Sequence, residues 1–378
     1  MFEHDPQPVN QPEPVQGAKT TADLLRNLSP EKQALLAQRL REKRLQNRIE
    51  QPGLRQPRKP GINTFPLSFA QERLWILEQI EPENLAYNTN MALRLKGTLD
   101  RAVLERAFNE VVRRHEVLRT TFDVVDGQAM QIVAPQMAIP LREQDLSSLA
   151  LDEREPEAWR LAQDEARRPL DLRRGPLLRT TLLRLDETEY VLLLTVHHIV
   201  SDNWSMWLLV WEIATIYAAF MAGEASPLPE LPAQYADFAV WQRKWLQGET
   251  LEQQVSFWRQ KLAGAPQALD LPTDHPRPAL QTSRGAQQNL LLPKTLVEAV
   301  KALGQAHGAT LFMTLLAVFK VLLYRYTGQP DIVVGSPIVD RDRVEIEGLI
   351  GFFLNTLVLR SDLSGNPTFH ELLKRVQE

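Results

Sequence analysis

The order of apolar and polar positions from residue 62 onward predicts a chain of alternating helices and strands. An unbroken apolar run at residues 190–196 is typical of a strand buried on both faces. Apolar side chains at helical spacing follow Asp100, which suits the N-cap position of a helix. The predicted core face of that helix consists of Leu104, Ala107, Phe108, Val111 and Val112.

The same patterns predict further elements along the chain. Further strands are expected over residues 91–95, 117–122, 129–133, 177–185, 287–292, 331–337 and 353–359. Further helices are expected over residues 153–167, 204–221, 235–246, 252–262 and 294–307, and from Phe369. A buried helix is expected over 311–326, capped by Thr310 and ended by Gly328. These mixed elements predict an α/β fold with two lobes around a shared cleft.

Changes in composition divide the chain into three parts. Residues 1–61 are rich in Pro, Gln and charged side chains, with one predicted helix over 29–48. This extension is expected to be a solvated helix on a flexible lead-in, or a linker or docking helix that meets a neighbouring module. A Pro-rich break at 226–232 predicts the boundary between one lobe at 62–232 and a second at 233–378.

Charge and composition exclude several classes of protein. The net charge is −4, with both signs mixed along the chain, which does not favour binding to nucleic acid or to an anionic membrane. The chain has no cysteine, so it holds no disulfide, thiolate metal site or cysteine nucleophile. The longest apolar run is too short to cross a bilayer and no signal peptide is evident. We therefore expect a soluble protein of the cytoplasm.

The most informative chemistry is a tandem histidine, His197 and His198, at the end of the buried strand. Asp202 follows four residues after His198, and we expect its carboxylate to fold back toward the second imidazole. An imidazole with a controlled orientation suits proton transfer or hydrogen bonding to a nucleophile, because it titrates near neutral pH. A metal site is disfavoured because a third ligand at short spacing is missing. A serine triad is disfavoured because the chain lacks a Gly-x-Ser-x-Gly segment.

Four other segments accompany the histidines in a fixed order. They are residues 68–75 (Ser-Phe-Ala-Gln-Glu-Arg-Leu-Trp), 114–122 (Arg-His-Glu-Val-Leu-Arg-Thr-Thr-Phe), 235–242 (Tyr-Ala-Asp-Phe-Ala-Val-Trp-Gln) and 350–356 (Ile-Gly-Phe-Phe-Leu-Asn-Thr). With residues 197–205, this ordered set closely resembles the condensation domains of nonribosomal peptide synthetases. The sequence of the first segment resembles that of the subtype that joins two L-configured residues.

The resemblance implies a fold, a reaction and partners. The expected fold is a V-shaped pseudo-dimer of two chloramphenicol-acetyltransferase-like lobes, with a tunnel that admits phosphopantetheine arms from both faces. The implied reaction is amide formation, in which the amine of a downstream aminoacyl thioester attacks an upstream acyl or peptidyl thioester. The implied partners are upstream and downstream peptidyl carrier proteins and an adenylation domain. No cofactor or metal of the chain's own is expected.

The resemblance also assigns roles to individual residues. It makes His198 the central catalytic residue, either as a base or by orienting the amine, and His197 a structural one. It makes Asp202 a structural carboxylate paired with an arginine, for which Arg73 and Arg341 are the candidates. Asn203 stands where the family usually has Gly, and we expect it to take the left-handed backbone of that turn.

Other residues near the motif are candidates for the tunnel wall. These are Asn203, Trp204, Ser205 and Asn355. The Trp-rich helix that contains Trp204, Trp207 and Trp211 is expected mainly to pack in the core, with a tunnel lining as the alternative. Asn355 is expected either at the tunnel wall or in a hydrogen bond that satisfies its own strand.

The end of the chain leaves alternatives open. Family members continue beyond the position of Glu378, so the second lobe is expected to be incomplete, with uncovered apolar surface. The leading hypothesis is a C-terminally truncated condensation domain. The alternatives are an inactive remnant that binds carrier proteins and a stand-alone acyltransferase that acts on a soluble amine or alcohol.

Overall fold

The computed structural model describes residues 53–54, 61–82, 84–276 and 285–378. Among the described residues up to 221, the fold contains seven strands and four α-helices. The strands are β1 (Thr64–Pro66), β2 (Asn88–Lys96), β3 (Thr120–Val125), β4 (Gln128–Val133), β5 (Leu141–Asp145), β6 (Leu178–Arg184) and β7 (Glu189–His197). The helices are α1 (Phe69–Ile80), α2 (Arg101–Arg114), α3 (Leu151–Ala166) and α4 (Asn203–Met221).

Two sheets organise these elements. A four-stranded sheet has the order β2-β7-β6-β5, in which β7 is central and the β5–β6 pair is parallel. A three-stranded antiparallel sheet has the order β1-β4-β3. In the larger sheet His197 lies opposite Asn88, so the tandem histidine emerges where the central strand ends.

The core forms as the apolar pattern predicts. Side chains of α2, β7 and α4 belong to one buried cluster, which includes the predicted core face of α2. Asp100 caps α2, because its Oδ1 accepts a hydrogen bond from Val103 N at 3.0 Å. The N-cap and the core face predicted for this helix are therefore confirmed.

The chain beyond residue 221 adds helices and a two-stranded antiparallel sheet. The helices are α5 (Tyr235–Trp245), α6 (Gly248–Lys261), α7 (Lys294–Ala306), α8 (Leu311–Thr327), α9 (Val344–Glu347) and α10 (Phe369–Gln377). The strands are β8 (Asp331–Val339) and β9 (Leu354–Asp362). Thr310 caps α8, and Gly328 ends it in a left-handed conformation, both as predicted.

Three predicted elements need correction. Residues 287–292 form no strand and their side chains are exposed, because no neighbouring strand pairs with them in the described structure. Residues 116–119 form a 3-10 turn, so the strand predicted from residue 117 begins only at Thr120. Helix α8 is not buried throughout, since Phe312, Phe319 and Tyr326 are exposed.

The remaining predictions about domain organisation are largely outside the described residues. The predicted extension at 1–61, with its helix at 29–48, lies outside them except for residues 53, 54 and 61. The lobe boundary at 232 stays a prediction. Within the described part of the chain, α4 is the one single helix long and apolar enough to resemble a membrane span. Its inner side chains Leu209, Ile213 and Ile216 are buried in the protein core.

Candidate active site

His198 lies in a short 3-10 turn, His198–Val200, between the end of β7 and the start of α4. The extended β7 brings the chain out of the core, and the turn places the imidazole at the edge of that core, half-buried. The ring of Phe352 packs against it, with the two ring centroids 5.3 Å apart. A residue from the last third of the chain therefore forms part of the wall around His198.

The orientation of the His198 ring is set by a backbone carbonyl. Its Nδ1 lies 2.7 Å from the oxygen of Ser201. Because a carbonyl oxygen only accepts hydrogen bonds, Nδ1 must carry the proton, and the lone pair of the neutral ring is then on Nε2. The expectation that Asp202 folds back toward this ring is wrong, because its carboxylate is engaged elsewhere.

Asp202 is a fully buried anchor. Its carboxylate accepts hydrogen bonds from the backbone of Ser205, at 2.7 Å, and of Phe353, at 3.1 Å. The guanidinium of Arg341 lies 3.3 Å away and is 6% exposed. Of the two arginine candidates the structure thus pairs Arg341 with Asp202. Arg73 does not fill this role, because its side chain lies on the exposed face of α1.

The residues after Asp202 differ from expectation. Because Asp202 is the N-cap of α4, Asn203 is the first helical residue and does not take the left-handed backbone expected of it. Ser205 is fully buried, and its hydroxyl contacts Arg341 at 2.8 Å and both the N and O of Gly351. The tunnel-wall role expected for Ser205 is therefore wrong, since its side chain has no exposed surface.

The tryptophans of α4 are exposed rather than packed in the core. Trp204, Trp207 and Trp211 are 54%, 67% and 56% exposed, which overturns the expected core role. They share one helix face because their spacing is three and then four residues. The indole Nε1 of Trp204 donates to the carbonyl of Glu347 at 3.2 Å.

Asn355 lies in β9 and is also exposed. Its Oδ1 accepts a hydrogen bond from the backbone N of Thr356, at 2.8 Å. The side chain therefore satisfies its own strand locally. A place at the tunnel wall remains a prediction for Asn355, as it does for Asn203 and Trp204.

His197, unlike His198, is buried, and its Nδ1 accepts a hydrogen bond from Ile199 N at 3.1 Å. Its Nε2 has no hydrogen-bond partner. Burial lowers the pKa of His197 to about 4, with a smaller contribution from the neighbouring His198. The ring is therefore neutral at physiological pH, which fits the structural role predicted for it.

Arg114, His115 and Glu212 form a second buried cluster, of which the sequence analysis named no member as a site residue. Glu212, on α4, lies 2.9 Å from Nε2 of His115 and 3.2 Å from the Arg114 guanidinium. His115 Nδ1 accepts a hydrogen bond from Ile350 N at 3.3 Å. Burial lowers the pKa of His115, against an opposing effect of Glu212. A Glu in an apolar helix was the available signal, because a buried carboxylate requires a partner.

The described residues contain no cluster of three or more His, Cys, Asp or Glu side chains suited to hold a metal ion.

Comparison with known proteins identifies the family. The family model of the condensation domain matches residues 62–378. The chain belongs to the condensation domain family. Linear gramicidin synthase subunits C and B of Brevibacillus parabrevis are 53% and 54% identical to this condensation domain, over 84% and 83% of its chain. The chain spans only 4% and 6% of the length of those two relatives.

Solved structures show the same fold. The X-domain from teicoplanin biosynthesis is 33% identical, with a TM-score of 0.77 over 86% of this chain and 71% of its own. The first condensation domain of the calcium-dependent antibiotic synthetase, in complex with a substrate analogue, is 26% identical, with a TM-score of 0.70 over 83% of this chain and 73% of its own. The predicted family and the α/β fold of the acetyltransferase type are thereby confirmed.

Proposed function

We propose that this condensation domain forms an amide bond between two thioesters in nonribosomal peptide biosynthesis. The donor is an acyl or peptidyl thioester and the acceptor an aminoacyl thioester. Each is carried on the phosphopantetheine arm of a peptidyl carrier protein, and an adenylation domain selects the amino acid. Membership of the family and identities above 50% to peptide synthetase subunits support this proposal.

The orientation of His198 is the observation on which the proposed chemistry rests. With Nδ1 donating to the Ser201 carbonyl, the Nε2 lone pair is available to accept a proton from the attacking amine. The C–N bond forms as the amine attacks the thioester carbonyl, and the C–S bond breaks when the tetrahedral intermediate collapses. The proton taken by Nε2 then passes to the departing thiolate, so that the imidazole returns to its neutral form.

The demand on His198 is modest because a thioester is already activated. Holding the amine and the carbonyl in attack geometry supplies an effective concentration on the order of 10⁵ M or more. His198 acts either as a base or by orienting the amine through a hydrogen bond. Protonation of the imidazole would remove either role, because Nε2 then has no lone pair to accept from the amine.

The direct test loads a donor and an acceptor carrier protein and detects the dipeptidyl thioester by mass spectrometry. His198→Ala is expected to lower the rate by about 100-fold or more, the usual contribution of a positioned acid–base group. His370→Ala, a change at an exposed histidine outside the site, is the matched control and should leave the rate unchanged. Equal rates for wild type and His198→Ala would refute the proposed role.

A second candidate is a binding module that performs no chemistry. One solved structure holds the X-domain from teicoplanin biosynthesis in complex with OxyB, with 33% identity and a TM-score of 0.76 to this chain. If this chain is such a binding module, carrier proteins should bind equally well to the wild type and to His198→Ala. Neither form of the chain should then yield product. A stand-alone acyltransferase, in contrast, would acylate a free amine without any carrier protein.

A further inference from the structure

Two of the motif segments, residues 68–75 and 235–242, form none of the hydrogen bonds or ring contacts of the His198 imidazole seen in the described structure. Yet both contain polar side chains that are completely buried: Ser68 and Gln71 at 0% exposure and Tyr235 at 1%. Burying such groups is unfavourable unless each hydrogen bond is satisfied. Their partners therefore indicate what these segments do.

The first connection runs from α1 to the turn that contains His198. Ser68 and Gln71 form a reciprocal cap, in which Ser68 Oγ accepts from Gln71 N and Gln71 Oε1 accepts from Ser68 N, both at 3.1 Å. With Oε1 fixed in this way, the amide Nε2 of Gln71 donates to the carbonyl of Ile199 at 3.2 Å. Ile199 directly follows His198, so Gln71 holds the backbone on one side of the imidazole.

The second connection runs from Ser68 to Phe352. The Tyr235 hydroxyl lies 2.7 Å from the carbonyl oxygen of Phe352 and must donate its single proton there. It also lies 2.8 Å from Ser68 Oγ, which must therefore be the donor in that bond. Ser68 thus links the Gln71 cap to Tyr235, and Tyr235 holds the backbone of Phe352.

The two connections meet at His198. The ring of Phe352 packs against His198 with the centroids 5.3 Å apart. At Gly351 a Cβ atom would overlap the ring of Tyr235, so the segment approaches Tyr235 as closely as a backbone can. We propose that Ser68, Gln71 and Tyr235 are positioning residues that clamp His198 between the Ile199 carbonyl and the Phe352 ring.

This inference rests on the proposed function and deepens it, because it assigns a role in the same site to residues that do not contact the reactants. The clamp supplements the Ser201 hydrogen bond, which sets the tautomer and the orientation of the ring, by holding the backbone and the aromatic ring on either side of it. Misplacement of a reacting group by about 1 Å can lower a rate by on the order of 100-fold. Loss of the clamp should therefore reduce turnover and leave carrier-protein binding intact.

The test removes the hydrogen bonds of one side chain at a time with little change in its volume. Tyr235→Phe deletes the hydroxyl that bridges Ser68 and Phe352, and its matched control is Tyr217→Phe, which deletes the hydroxyl that accepts from Asp100 N. Gln71→Met deletes the bond to Ile199 and the acceptor of Ser68 N, and its matched control is Gln79→Met on the exposed side of the same helix. We expect kcat to fall about tenfold or more in the two clamp variants, with KM for the loaded carriers unchanged and the controls equal to wild type.

A second readout does not depend on the reaction. Nitrogen NMR of isotope-labelled histidine, with the His198 signal assigned through His198→Gln, reports the tautomer and surroundings of the imidazole in the chain alone. The clamp variants should shift the His198 resonances, and the controls should not. If Tyr235→Phe and Gln71→Met are folded and leave both the His198 signals and kcat unchanged, the proposal is wrong.

The two readouts also separate this proposal from the function on which it rests. Shifted His198 signals in the clamp variants, with no dipeptide formed even by the wild-type chain, would support the clamp and refute the condensation activity. Unshifted signals in clamp variants, together with normal product formation in wild type, would refute the clamp and support the activity. A loss of activity that matches the unfolded fraction seen by circular dichroism would reduce these residues to a purely structural role and also refute the clamp.

Discussion

At the scale of single residues, the geometry of the site depends on which buried polar groups form hydrogen bonds or ion pairs with one another. His198 is oriented by a neutral carbonyl, whereas the charge that the motif supplies, Asp202, is used to join α4 to Arg341 and to the backbone of Phe353. The motif thus separates two tasks. One histidine is available for chemistry, and the carboxylate holds together the segments that surround it.

Asp202→Asn should mainly lower the free energy of unfolding, with a smaller effect on the activity of the protein that remains folded. The change leaves the Arg341 guanidinium buried without its counter-charge, a loss of about 3–5 kcal/mol for a buried pair. Urea unfolding followed by circular dichroism measures the change in unfolding free energy. Asp145→Asn, in the exposed pair with Arg184, is the control and should change it much less, because solvent screens an exposed pair. Equal effects of the two changes would contradict the anchoring role.

How much of the site the sequence predicts also follows from particular residues. His198, Asp202 and Arg341 are predictable because their segments match a known pattern. The partner of His198 Nδ1 is not, because a backbone carbonyl has no signature in the sequence. Tyr235 pairs with Ser68 across 167 residues, and no local pattern specifies such a contact.

At the scale of elements, predictions are correct where contacts within a few residues determine the structure. They are wrong where a contact with a distant segment determines it. The caps at Asp100 and Thr310 follow from side chains that bond to a backbone three residues away. The apolar residues 287–292 suit a strand, but a strand forms only where another strand pairs with it. The tryptophans of α4 are apolar enough for a core, yet the packing of the helix places its smaller side chains inward.

The junction between α7 and α8 offers a test at this scale. A Cβ added at Gly304 would lie 2.5 Å from Thr314 Oγ1 and 3.1 Å from the Ala309 carbonyl. Gly304→Ala should therefore lower the unfolding free energy by about 1–3 kcal/mol through overpacking, despite the higher helix propensity of Ala. Thermal unfolding of the single and double variants with Thr314→Ala forms a mutant cycle. If the double change recovers no stability, the predicted overlap with Thr314 does not exist.

At the scale of the whole molecule, the buried histidines make stability depend on pH. The pKa of His197 is about 4 in the folded state, against about 6.5 for a free imidazole. Between these values the unfolded chain binds more protons, so the unfolding free energy increases with pH. The contribution is complete above pH ~6.5 and is lost as the pH falls toward 4. The lowered pKa of His115 acts in the same direction.

We therefore expect the protein to be markedly less stable at pH 5 than at pH 7.5. The lowering of the His197 pKa corresponds to a few kcal/mol of unfolding free energy, at about 1.4 kcal/mol per pKa unit. Urea unfolding at a series of pH values measures the slope. His197→Gln should reduce the slope, and His307→Gln, at an exposed position, should retain it. A slope unaffected by His197→Gln would show that the buried ring does not titrate as described.

The exposed face of α4 has a practical consequence. Three indole rings stand in water on the helix that starts directly after the His198 turn, and one of them bonds to the backbone of Glu347. Indole emission moves to shorter wavelength when water is displaced, so we expect a molecule that binds over these rings to shift the intrinsic fluorescence of the protein. The fold thereby provides an optical reporter close to His198, without the need for an attached dye.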